Sequence, residues 1–133
     1  MTAAKKKPPH VREWRARLRK VRKDKNLEGV ACVYEDLAFA RRQEGAHAAS
    51  RRAFHAAARA WRTARSALTL RRASRVAYDL VFPDSLRREA WCLAEVGSFS
   101  EARKLLGRVK RCRQGPLFAE EIQSLVKSFP QLA

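Results

Sequence analysis

The chain has 133 residues, the common size of a single domain, and its 30 lysines and arginines against 13 acidic residues give a formal net charge of +17. The positive charges of a compact domain with this composition repel one another, so the composition predicts a polyanionic partner. The chain has 21 arginines against 9 lysines, which favours nucleic acid over a bare anionic membrane. No apolar run approaches the ~20 residues that cross a bilayer, and no secretory signal is present, which predicts a soluble intracellular protein without a membrane span.

The N-terminal segment 1–26 is predicted to be a basic tail followed by an amphipathic helix. Residues 1–9 form the tail, which should not be helical at Pro8 and Pro9. After the tail, apolar residues recur at helical spacing. They are Val11, Trp14, Leu18 and Val21. Basic side chains cover nearly every other direction, so this helix should dock through a narrow apolar seam and direct a wide cationic surface outward.

Residues 27–133 are predicted to form one helical domain. Its first helix, acidic on balance, should run from about Leu27 to Arg42 and end at Gly45. The next helix, from about Ala46 to Ala67, has the clearest pattern in the chain, because its apolar residues fall within one sector of the helical wheel. They are Phe54, Ala57, Ala58, Trp61 and Leu68. A row of cations occupies the neighbouring sector, formed by Arg51, His55, Arg59 and Arg62, with Arg52 and Arg65 flanking it.

Four further helices are predicted in the rest of the domain. They should cover about Leu70–Val81, Ser85–Val96, Ser100–Arg113 and Leu117–Phe129. The breaks between them are placed at Pro83, Gly97 and Gly115, because proline ends a helix and glycine caps one. Ser100 is predicted to be the N-cap of the helix that it begins.

One stretch of the domain, EAWCLAEVGSFSEARKLLGRVKRC (residues 89–112), resembles one unit of the tetratricopeptide and pentatricopeptide class of helical repeats. The matching positions are Ala90 and Leu93 in the first helix, Gly97 in the turn, and Ala102, Leu106 and Val109 in the second helix, with Phe99 near the turn. A similar stretch, LAFARRQEGAHAASRRAFHAAARAW, begins 52 residues earlier and aligns Gly45 with Gly97. Because family repeats have a period of about 34 residues, an extra helix over 70–81 is expected between the two units.

This resemblance implies an all-α fold of irregularly stacked antiparallel helical hairpins, with the basic tail and helix at the N-terminus. It also implies RNA binding of the kind found in the small basic repeat proteins of mitochondrial ribosomes. The Arg-rich, acid-poor N-terminus is compatible with mitochondrial import, and the alternative location is that of a cytoplasmic ribonucleoprotein.

Two segments carry the whole net charge. Residues 1–25 hold 11 basic and 2 acidic side chains, residues 45–78 hold 8 arginines and no acid, and the remaining residues sum to zero. We therefore predict two surfaces that bind rRNA phosphates in a structural subunit of a large ribonucleoprotein, which also contacts neighbouring proteins. The predicted RNA-binding residues are Lys5, Lys6, Lys7, Arg12, Arg15, Arg19, Arg22, Arg51, Arg52, His55, Arg59, Arg62, Arg71, Arg72 and Arg75.

Enzymatic function is not predicted. The sequence has no phosphate-binding glycine motif and no histidine at a catalytic or metal-binding spacing, so no cofactor, metal or small-molecule substrate is expected. The adjacent acids Glu35–Asp36 and Glu120–Glu121 are interpreted as solvated helix faces. The three cysteines, Cys32, Cys92 and Cys112, match no zinc spacing and are interpreted as buried reduced thiols.

Two other functions fit the composition. A DNA-binding regulator would place a helix such as 46–67 in a major groove, and it predicts a dimer. A helical-repeat adaptor would hold a peptide between its hairpins and use its charge to bind an acidic partner.

Overall fold

The computed structural model describes residues 9–70 and 74–133, and every regular element in these ranges is helical. The α-helices are α1 (Pro9–Lys23), α2 (Leu27–Gln43), α3 (His47–Leu70), α4 (Arg75–Glu95), α5 (Phe99–Arg111) and α6 (Ala119–Ser128). Short 3₁₀ helices lie at Gly115–Phe118 and Pro130–Leu132. The all-α prediction is therefore confirmed.

The first helix docks on α2 through the predicted seam. The seam residues Val11, Trp14, Leu18 and Val21 are all half-buried, and α1 packs against α2. One detail of the prediction is wrong, because Pro9 is the first residue of α1 and not part of a non-helical tail. Proline is tolerated at this position, where the backbone N–H would have no partner within the helix. Residues 1–8 lie outside the described residues.

Glycines end α2 and α4, as predicted. Gly45 follows α2 with a φ of +78°, and Gly97 follows α4 with a φ of +83°. A side chain disfavours this left-handed conformation, whereas glycine adopts it without steric cost. Asn26 caps the start of α2 by accepting a hydrogen bond of 2.9 Å from the backbone N–H of Gly29.

Alanines make up a large share of the buried core between the helices. Ala31 and Ala38 of α2 and Ala57 of α3 are fully buried, and so are Ala90 of α4 and Ala102 of α5. Small residues let helix axes approach to about 8 Å, the short end of the usual range. The aromatic residues predicted for the buried face of α3, Phe54 and Trp61, fill the core between these contacts with 0% and 3% exposure.

The observed helix α4 differs more from the sequence prediction than any other element. Two helices separated at Pro83 were expected, but one helix runs from Arg75 to Glu95 with Pro83 in its interior. Ser74 caps its start by accepting a hydrogen bond of 3.2 Å from the N–H of Ala77. A proline inside a helix costs about 3 kcal/mol, and the packing of fully buried Pro83 and Leu86 opposes that cost.

The C-terminal helices begin at positions that differ from those predicted. Ser98, and not Ser100, is the N-cap residue of α5, because its carbonyl oxygen accepts the first hydrogen bond of the helix, from Ala102 N at 3.1 Å. The closing helix is shorter than predicted, since residues 115–118 form a 3₁₀ turn before α6. Gly115 permits this turn: a Cβ atom there would lie 2.3 Å from the carbonyl oxygen of Val109.

Side chains also join α2 directly to α4. The pairs are Glu35 with Arg88, Phe39 with Trp91, and Arg42 with Glu95. Residue numbers rise in the same direction along both helices, so α2 and α4 run parallel. Their partners are 52 or 53 residues apart, which matches the offset between the two similar sequence stretches.

Candidate nucleic-acid interface

The predicted cationic row lies on the solvent-facing side of α3. Arg51, Arg52, His55 and Arg59 are exposed, while the alanines and aromatics of the opposite side are buried. Among the described residues, no carboxylate forms an ion pair with Arg51, Arg52 or Arg59. We call these four exposed residues the α3 row.

The C-terminal end of the predicted row is directed inward. Arg62 donates from Nε and Nη2 to one oxygen of Glu89 at 3.2 and 2.9 Å, and Arg65 donates to the other oxygen at 2.5 Å. The side chain of Arg62 is still 59% exposed, but that of Arg65 is only 7% exposed. The prediction that Arg65 flanks an RNA surface is therefore wrong, because this guanidinium neutralises a buried carboxylate.

The described part of the N-terminal basic segment lies on α1. Arg12, Arg15 and Arg19 are exposed, while Arg22 donates a hydrogen bond of 3.0 Å to the hydroxyl of Tyr34. The seam of α1 therefore faces α2, and its predicted RNA-binding residues Arg12, Arg15 and Arg19 face solvent.

The remaining predicted contacts lie near or beyond the described ranges. Arg75 at the start of α4 is exposed, 3.6 Å from Asp79. Lys5, Lys6, Lys7, Arg71 and Arg72 lie outside the described residues.

A third basic surface, on α5, was missed by the sequence analysis. Its exposed residues are Arg103, Lys104, Arg108, Lys110 and Arg111. Segment 79–133 is nearly neutral by count. However, its acids Glu89 and Glu95 in α4 form ion pairs with arginines of α2 and α3. The five exposed cations of α5 are therefore offset by one exposed acid of that helix, Glu101. Only a separation of buried from exposed acids reveals this surface.

The buried acid Glu35 bonds to side chains of two other helices. Glu35, expected on a solvated face, is 3% exposed and accepts a hydrogen bond of 2.8 Å from Trp61 Nε1. Arg88 forms an ion pair with the same carboxylate and lies over the ring of Trp61, 4.6 Å from its centroid. Burial of the Arg88 guanidinium lowers its pKa, whereas the hydrogen bond to Glu35 and the negative charge of Glu35 raise it, and the net shift of the Arg88 pKa is upward. This network connects α2, α3 and α4.

The thiol next to this network is poorly suited to nucleophilic catalysis. Cys92 is fully buried, and its Sγ lies 3.7 Å from a Glu35 oxygen. Burial raises the pKa of the Cys92 thiol, and the negative charge of Glu35 raises it further. A nucleophilic cysteine needs the opposite shift, because the thiolate is the reactive form. Cys32 and Cys112 are half-buried and also free, so the prediction of buried thiols holds fully for Cys92 alone.

The raised pKa of Cys92 makes stability depend on pH. Above 9.0, the ordinary thiol pKa, the unfolded chain loses this proton while the folded chain keeps it. Stability is therefore retained below that pH and falls above it, by about 1.4 kcal/mol per pH unit for one thiol. Urea denaturation at a series of alkaline pH values should show a steeper decline for the native protein than for Cys92→Ala. Equal slopes for the two proteins would contradict this assignment.

An open groove lies between α2, α4 and α6. It has a volume of about 500 Å³, and Phe39 and Trp91 stack at its edge with ring centroids 5.3 Å apart. Arg42 and Glu95, which also line the groove, form an ion pair with each other. The groove therefore presents aromatic surface and paired charges, in contrast to the unpaired cations of the α3 row.

None of the helices among residues 9–70 and 74–133 is long and apolar enough to cross a membrane. The same residues hold no cluster of three or more histidine, cysteine or acidic side chains that could hold a metal ion. Comparisons with protein-family models, with curated proteins and with solved structures found no match to this chain. Its function must therefore be inferred from the distribution of charge and burial.

Proposed function

We propose that this protein is a non-catalytic RNA-binding subunit of a large ribonucleoprotein, of the mitochondrial ribosomal type. The observation that carries the proposal is the α3 row, in which Arg51, Arg52 and Arg59 are exposed and form no ion pair with a described carboxylate. These three cations repel one another along about 12 Å of helix. A bound polyanion removes that repulsion and stabilises the folded protein.

The α3 row favours contacts with phosphates over reading of bases. The exposed side chains of α3 within residues 47–68 include arginines and histidines but no phenylalanine, tyrosine or tryptophan. Stacking on an aromatic ring is a common way to read an unpaired RNA base, whereas phosphate contacts position a protein without reading sequence. The row therefore fits recognition of RNA by shape and backbone.

The proposal includes a stack of antiparallel helical hairpins related to the tetratricopeptide and pentatricopeptide class. Its support is the parallel arrangement of α2 and α4, whose contacting residues are 52 or 53 positions apart, and the matching backbone of Gly45 and Gly97. Small basic proteins of this class occur in mitochondrial ribosomes, and from this resemblance we infer the rRNA partner, the neighbouring proteins and the mitochondrial location.

Removal of the three arginines of the α3 row should weaken RNA binding without unfolding the protein. The variant Arg51→Gln/Arg52→Gln/Arg59→Gln is expected to bind a short labelled RNA hairpin roughly a hundredfold more weakly at about 0.1 M salt, because three phosphate contacts are lost. Arg62 is left intact, since its pairing with Glu89 makes it part of the fold. Fluorescence anisotropy measures the affinity, and circular dichroism verifies the helix content.

The control variant for the α3 row removes the same charge from other exposed positions: Arg103→Gln/Lys110→Gln/Lys127→Gln. It should lose much less affinity. In cells, the native protein should sediment with a ribosomal subunit on a sucrose gradient until ribonuclease is added, and the α3-row variant should shift toward the free fraction. A native protein that sediments as a small free species both with and without ribonuclease would refute the proposal.

The same measurements separate the two other functions. A DNA-binding regulator would bind a duplex DNA of equal length at least as tightly as the RNA hairpin. A helical-repeat adaptor would bind neither nucleic acid, and its acidic peptide would contact the groove beside Phe39 and Trp91.

A further inference from the structure

A further basic feature lies between the C-terminal half of α3 and α5. It is a cleft of about 600 Å³, with Arg62 and Ser66 of α3 on one side, Lys104 and Arg108 of α5 on the other, and Phe82 of α4 between them. We call it the α3–α5 cleft. Its volume falls within the usual range for sites that hold a small molecule or one unit of a polymer.

The guanidinium of Arg62 is held in a fixed orientation at the edge of this cleft. Both of its hydrogen bonds go to one oxygen of Glu89, whose side chain is 1% exposed. Its other N–H groups have no hydrogen-bond partner among the described residues, and 59% of the side chain is exposed. An arginine that is positioned by a buried carboxylate loses little entropy when it binds an anion.

The charges that face the cleft are mostly positive. Glu89 is fully buried and is neutralised by Arg62 and Arg65 together, so it adds little negative potential outside. Of the acids that line the cleft, only Glu101 at the start of α5 is exposed. Lys104 and Arg108 are exposed, and neither forms an ion pair with a described carboxylate.

We infer that the α3–α5 cleft is a phosphate-binding subsite, which takes a phosphodiester of the RNA where the strand passes from α3 to α5. This inference rests on the proposed function and extends it. Arg62 supplies donors in a fixed direction, and Lys104 and Arg108 supply charge from the opposite side. The subsite therefore extends the contact of the α3 row to the two cations of α5 that line the cleft.

Neutralisation of the α5 side of the cleft tests this inference. Lys104→Gln/Arg108→Gln should weaken binding of the same RNA hairpin roughly tenfold and reduce the slope of log K against log salt by about one to two. The control Arg103→Gln/Lys110→Gln also removes one lysine and one arginine from exposed positions of α5, but these two residues do not line the cleft. It should leave the slope nearly unchanged.

A gain of affinity provides a second test that misfolding cannot imitate. Glu101→Gln removes the exposed acid of the cleft and should tighten RNA binding roughly twofold to threefold. Glu120→Gln is its control, because Glu120 is also exposed and also lies in the first turn of its helix, α6. Equal affinities for these two variants would overturn the inference.

The outcomes separate the cleft from the proposed function. If the α3-row variant weakens binding while Lys104→Gln/Arg108→Gln behaves like its control, the cleft inference fails and the proposed function stands. If neither variant changes the affinity of a folded protein for RNA, the proposed function fails as well.

Discussion

Replacement of Glu89 with glutamine is expected to lower the free energy of unfolding by about 3–5 kcal/mol, because it leaves a buried guanidinium without a counter-charge. The side chains of Glu89 and Arg65 are 1% and 7% exposed, and their closest atoms are 2.5 Å apart. Glutamine keeps the shape of the side chain but removes its charge. Urea denaturation followed by circular dichroism measures this loss, which is large against the roughly 5–15 kcal/mol that stabilise a typical domain.

A matched substitution at the surface isolates the effect of burial. Asp36→Asn removes the partner of Arg17, in a pair whose side chains are 48% and 53% exposed, and it should cost at most about 1 kcal/mol. The double variant Arg65→Met/Glu89→Leu should recover most of the stability lost in Glu89→Gln, because it removes both charges. A Glu89→Gln protein as stable as Asp36→Asn would show that the buried pair does not support the fold.

Replacement of Phe54 with alanine, as a separate single variant, should also lower the free energy of unfolding by about 3–5 kcal/mol. Phe54 is fully buried in α3, and its ring lies 5.7 Å from that of Phe39 and 5.6 Å from that of Trp91. Its removal leaves a cavity next to the rings of Phe39 and Trp91. Thermal or urea denaturation measures the change.

The natural control for Phe54 is Phe39, which belongs to the same aromatic cluster. Phe39 also contacts Trp91, with ring centroids 5.3 Å apart, and its side chain also lies beneath the guanidinium of Arg42. It differs in being 41% exposed. Aromatic pair geometry contributes only about 0.5–1.5 kcal/mol, so Phe39→Ala should cost far less than Phe54→Ala. Equal costs would mean that pair geometry, and not burial, dominates this cluster.

The parts of the fold that were predicted correctly are those governed by local rules. The buried stripe of α3 follows from the helical period, and the turns at Gly45 and Gly97 follow from the conformational freedom of glycine. Pro83 shows where such rules fail. Its local preference is to end a helix, but the packing of α4 against α3 and α5 outweighs that preference, and the sequence contains no local signal of that packing.

The candidate site could be predicted only in part, because charge was counted by segment. The exposed arginines of the α3 row were found, since no acid lies near them in the sequence. Glu35 and Glu89 carry the same charge as a surface acid but are buried. Their burial removes arginines such as Arg65 from the surface and leaves Glu101 as the one exposed acid of α5 against its five exposed cations. Burial depends on contacts between distant segments, which a single sequence does not display.

The buried alanines of α4 influence the distance between the cations of α3 and those of α5. Helix α4 packs against both α3 and α5, and its Ala90 and Ala94 are buried in the common core, with 0% and 2% exposure. Because each methyl group permits a short distance between axes, together they fix how far the cations of α3 stand from those of α5. A larger side chain at Ala90 would widen that separation while leaving every surface charge in place. The dimensions of the basic surface are thus determined by residues that never touch a ligand.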